Sequence, residues 1–66
     1  MSRSLRLYPT DVWALNNRGL AYERLRKLKK ATDDLRLALQ TDPGFESARA
    51  NLRRVEEEER EQARRP

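Results

Sequence analysis

The 66-residue sequence has no Cys and no His. Without thiols there is neither a disulfide framework nor a thiolate metal site, and without imidazole the commonest zinc ligand and the usual acid-base group at neutral pH are both missing. The sequence therefore implies no metal and no cofactor. The few Ser residues have no His to activate them, and no Gly-rich run is present to cradle a phosphate. No catalytic residues are expected, and the chain does not read as an enzyme. No apolar run approaches the roughly 20 residues that cross a bilayer, and the opening Met1-Ser2-Arg3-Ser4-Leu5-Arg6 lacks the apolar stretch of a signal peptide. The expectation is a soluble, cytoplasmic chain with no membrane partner.

What is present is charge. Charged residues make up 39% of the chain and hydrophobic ones 36%, a balance that suits amphipathic helices around one thin core rather than a thick globule. A domain of this size buries only about 60% of the surface its unfolded chain exposes, so stability is marginal. The net charge of +4 is uneven: residues 1–30 carry eight Lys or Arg against two acids, and residues 31–66 carry seven against nine. Such asymmetry either steers an acidic partner or solvates a face.

Three helices are expected. Pro9 cannot sit inside a helix, and Thr10 and Asp11 offer cap oxygens at a helix start. From Val12, Leu15, Gly19, Tyr22 and Leu25, with Ala14 and Ala21, recur at three- and four-residue steps, predicting a helix that ends near Leu25 or Arg26. Gly19 costs about 1 kcal/mol against Ala in an exposed mid-helix site, so a second helix pressed against it explains it better. Leu28, Ala31, Leu35, Ala38 and Leu39 mark the second helix, which Pro43 and Gly44 break. Phe45, Ala48, Leu52 and Val55 stripe the third, whose last turns read as polar and frayed.

An offset of 34 residues aligns Leu5 with Leu39, Pro9 with Pro43, Ala14 with Ala48 and Asn17 with Asn51. That is the helix-turn-helix period of tetratricopeptide repeats. The runs Asn17-Arg18-Gly19-Leu20-Ala21-Tyr22 and Ala38-Leu39-Gln40-Thr41-Asp42-Pro43 resemble this family, with its characteristic residues matched by Ala14, Gly19, Tyr22, Ala31, Ala38 and Pro43. Departures are Leu15 where the family often has Trp, Arg18 where it usually has Leu, and Leu35 in place of an aromatic. The connection Leu25-Arg26-Lys27-Leu28-Lys29 lacks Gly, Asn or Asp. The resemblance implies an all-α chain: residues 1–11 as the remnant of a preceding repeat with the N-cap region, 12–45 as one full repeat, and 46–66 as a capping helix with a charged tail.

It also implies protein-protein interaction. In similar repeats the first helix lines a concave groove, and positions matching Trp13, Asn16, Asn17, Leu20, Glu23 and Arg24 face it. They supply an aromatic anchor, two amides and a charge of each sign for a peptide. The other reading of Trp13 is that it covers a core too small to bury it. Asn17 with Asn51 resembles the repeats that grip the acidic tails of heat-shock chaperones, though the basic residues of that grip are not clearly matched. Once the packing stripe is spent, Trp13, Asn16, Leu20 and Glu23 are expected to stay exposed. The carboxylate run Glu56 to Glu59 with Glu61 reads as a solvated face with no raised pKa, in which Glu57 and Glu61 pair with Arg53, Arg54, Arg64 or Arg65. Two alternatives stand beside peptide binding. One is self-assembly into a homodimer, by stacking or by a swap that straightens the turn. The other is binding of nucleic acid or an acidic partner by Arg24, Arg26, Lys27, Lys29 and Lys30; nucleic acid is the less favoured ligand, because Tyr22 belongs to the packing stripe and Trp13 lies about three turns away.

Overall fold

The computed structural model describes residues 11–64, so expectations for the preceding-repeat remnant, for Pro9 and Thr10, and for Arg65 lie outside the described residues. The chain is all-α. Helix α1 spans Val12–Arg24, α2 spans Leu28–Thr41 and α3 spans Glu46–Arg64. Asp11 caps α1, its carboxylate accepting from the Trp13 backbone N–H at 3.0 Å.

The turn after α1 ends the helix without a glycine. Arg26 N–H donates to the Glu23 carbonyl and Lys27 N–H to the Tyr22 carbonyl, both at 2.9 Å. This crossed pair is the Schellman arrangement, which needs a left-handed residue between helix and exit. Arg26 supplies it, with φ of 61°. Leu25, assigned by spacing to the packing stripe, is instead the C-cap and 65% exposed. The period runs on through Leu25, but the backbone turns away before its side chain can reach α2.

Helix α2 lies between the other two, and α1 and α3 meet along a narrower edge. Its buried Leu28, Ala31, Leu35 and Ala38 form the centre of the core with Leu15, Phe45, Ala48 and Val55, and Val12, Tyr22, Leu39 and Leu52 pack around them. Small residues set the spacing. A Cβ on Gly19 would stand 3.0 Å from Leu35 Cγ and 3.3 Å from the Ala31 carbonyl oxygen, so the close crossing expected at Gly19 is present. Ala14 and Ala21, turned away from α2, are exposed among the described residues.

Arg18, a departure from the family pattern, grips α2 from outside. Its Nε and Nη2 donate to the two carboxylate oxygens of the nearly buried Asp34 at 2.7 and 2.9 Å. This forked pairing satisfies an acid that would otherwise sit against the core uncompensated.

Candidate functional site

The expected site residues rise from α1 at three- and four-residue steps, and α3 comes down beside them. Trp13 is 64% exposed and rests its ring on Phe45, with centroids 4.8 Å apart and planes tilted by 59°. Trp13 thus covers the edge of the core and still offers most of its surface to solvent. Asn17 and Arg24 are exposed and Leu20 is half-buried.

Asn16 and Glu23 stand differently from expectation. Asn16 is only 6% exposed, and its side-chain oxygen accepts from Asn51 Nδ2 at 2.9 Å. Glu23 is half-buried and takes two hydrogen bonds from the Arg54 guanidinium, at 2.9 Å from Nε and 2.7 Å from Nη2. Both side chains are engaged with α3 rather than left open. Leu20 shares their side of α1 at the intervening step, so the structure brings Trp13, Asn17, Leu20 and Arg24 together as the open part of a surface backed by Asn51 and Arg54.

The carboxylate run is not uniformly solvated either. Glu58 Oε1 is buried with no hydrogen-bond partner among the described residues, and its nearest cation, Arg26 Nη1, is 3.7 Å away. Burial first, and the neighbouring Glu23 carboxylate second, push the Glu58 carboxyl above the usual glutamate range. Glu23 moves the other way, held below its ordinary value chiefly by the hydrogen bonds from Arg54. The expected pairing of Glu57 is corrected too: it meets Arg60 at 3.2 Å, because Arg54 is spent on Glu23. On the outer side, Glu56 accepts from Arg36 at 3.2 Å.

At the opposite end of α1, the turn and the start of α2 face the end of α3 across an open cleft of about 620 Å³, lined by Arg26, Lys27, Leu28, Lys29 and Lys30 on one wall and Glu59, Gln62 and Ala63 on the other. The last turns of α3 are therefore helical and form a wall, where frayed turns were expected. Two cations stand near the Tyr22 ring, the Arg18 guanidinium 6.0 Å and the Lys30 ammonium 5.8 Å from its centre.

Among the described residues no group of three or more acids or His could hold a metal, and no helix is long and apolar enough to cross a membrane.

Comparison with known proteins bears on residues 12–45, which match the tetratricopeptide repeat model. The chain is also 41% identical over 54 residues to mouse sperm-associated antigen 1, an alignment covering 82% of this chain and 6% of that protein. No solved structure matches the chain.

Proposed function

The chain belongs to the tetratricopeptide repeat family, whose units are protein-protein interaction modules, and from that premise we propose that it binds a peptide or protein segment along the open face of α1. Trp13 acts as the aromatic anchor, Asn17 bonds the ligand backbone, Leu20 offers an apolar step and Arg24 a positive charge. Asn16 and Glu23 act indirectly, by fixing α3 as the wall of the groove through Asn51 and Arg54. The observation that carries this reading is Trp13 itself, a large ring held in one place by Phe45 yet mostly open to solvent. Such rigid, partly exposed aromatics make strong anchors because little side-chain freedom is lost on binding.

The strip is short, so binding by this unit alone is weak, about micromolar or poorer. A random-peptide display selection against the 66-residue chain, with titration of recovered peptides by fluorescence of its one Trp, tests the proposal. Peptides that bind Trp13→Ala as tightly as the parent chain would place the site elsewhere.

In this reading α3 closes the unit. At the 34-residue offset the α1 residues that meet α2, namely Leu15, Gly19 and Tyr22, become Arg49, Arg53 and Glu56 in α3. Charges at those positions do not receive a further helix, so α3 works as a polar cap.

The second reading, self-assembly, draws support from two features. Ala14 and Ala21 leave an uncovered face on α1, and the left-handed Arg26 would be relieved if the turn straightened into a continuous helix with exchange of the second half. A light-scattering mass separates the two readings, since a monomer supports the groove and a stable dimer the exchange.

A further inference from the structure

The basic cleft at the far end of the hairpin is not used by the α1 face. We propose that it is a second binding site, which takes an acidic peptide segment. Four of its eight lining residues are cations, Arg26, Lys27, Lys29 and Lys30. Among the described residues, Arg26 meets Glu58 only at 3.7 Å, and Lys27, Lys29 and Lys30 form no ion pair. Helix α2 begins there with no side-chain cap and no acid in its first turn, so the positive end of its backbone adds to the same field. Four cations concentrated on one wall of a cleft lower the energy of an anion far more than the same charges dispersed over a surface.

The opposite wall identifies the class of anion. Glu59 offers only acceptors, Gln62 offers both donors and acceptors, and Ala63 is apolar. An extended peptide suits this pairing: its carboxylates meet the Lys and Arg wall while its backbone N–H groups reach Glu59 and its carbonyls reach Gln62. A nucleic acid suits it poorly. Its sugar-phosphate backbone has no N–H groups to donate to Glu59, and among the described residues no aromatic lines the cleft for base stacking.

The test is fluorescence anisotropy of a labelled oligoglutamate peptide titrated with the whole 66-residue chain, with circular dichroism confirming that each variant stays helical. Lys27→Gln with Lys29→Gln is expected to weaken binding by about tenfold. Arg49→Gln with Arg53→Gln, which removes the same charge from the outer side of α3, should change it by less than about twofold. Trp13→Ala should leave it unaltered, which separates this site from the α1 groove. Equal losses in the two double variants would show that only net charge matters and would overturn the proposal. Tighter binding of a thymidine oligonucleotide than of the peptide would overturn it in favour of nucleic acid.

Discussion

Arg54 and Glu23, 31 residues apart, form a two-point ion pair that clasps α3 to α1 where the two helices meet along only a narrow edge. The Glu23 side chain keeps only 14% of its surface exposed and that of Arg54 48%, so the pair is less screened than an ordinary surface contact. A forked guanidinium-carboxylate geometry also lies toward the upper end of what exposed pairs contribute. A double-mutant cycle of Glu23→Ala and Arg54→Ala is expected to give a coupling energy of about 0.5–1 kcal/mol in chemical denaturation. A coupling near zero would mean that apolar packing on α2 alone holds α3 in place.

The same corner gives the chain a distinctive response to pH. Glu58 is held above its ordinary value, so its contribution to stability is full below the unfolded glutamate value and is lost as pH rises through the raised one. Glu23 is held below its ordinary value; its contribution is present above the unfolded value and is lost as pH falls through the lowered one. Stability should therefore peak in mild acid, between the two losses. Glu58→Gln keeps the shape without the charge. It is expected to raise the thermal midpoint at about pH 8 and to flatten the decline from mild acid to neutral. Unchanged melting profiles would place Glu58 in solvent.

Gly19 should resist even the smallest enlargement. Alanine gains about 1 kcal/mol in helix propensity. Against that, its Cβ would meet Leu35 at 3.0 and 3.1 Å and the Ala31 carbonyl at 3.3 Å, and Leu35 has no room to yield because it is completely buried. Gly19→Ala is expected to be net destabilising by about 1 kcal/mol, and Gly19→Leu by about 2–3 kcal/mol or more. A higher melting temperature for the Ala variant would show that α1 and α2 cross less closely.

The elements and their core were legible because they follow from local signals. Three- and four-residue spacing placed the buried faces of α2 and α3, Pro43 and Gly44 marked the break between them, and the 34-residue period gave the repeat. What escaped was set by contacts across the chain. Asn16 and Glu23 look like surface positions while only α2 is considered as a partner for α1, and they are engaged once α3 arrives. No helical period announces a bond from Asn16 to Asn51 or from Glu23 to Arg54. Arg18 departs from the family pattern, and nothing in its own segment points to Asp34. Glu58 sits in a run of four glutamates, and only the return of α3 past the first turn distinguishes it from its neighbours. Leu25 continued the apolar period one step beyond the point where the backbone turns away.

That turn supports the last prediction. Arg26 takes the left-handed conformation with φ of 61°, in the position where helices most often place Gly because a Cβ is strained there. Such a conformation costs about 1 kcal/mol or more in a non-glycine residue. The Schellman bonds come from the Arg26 and Lys27 backbone, so they survive a change of side chain, and among the described residues the only ion pair at risk is the long contact from Arg26 to Glu58 at 3.7 Å. Arg26→Gly is therefore expected to stabilise the hairpin by about 0.5–1 kcal/mol, after allowance for the greater freedom of glycine in the unfolded chain. If part of the chain dimerises by exchanging its second half through a straightened turn, the same substitution should deplete that dimer, because glycine favours the turn and disfavours a continuous helix. Thermal melts read the first effect and sedimentation the second. A lower melting temperature would count against the left-handed turn, and a dimer fraction that persists while the melting temperature rises would show association through an outer face without exchange.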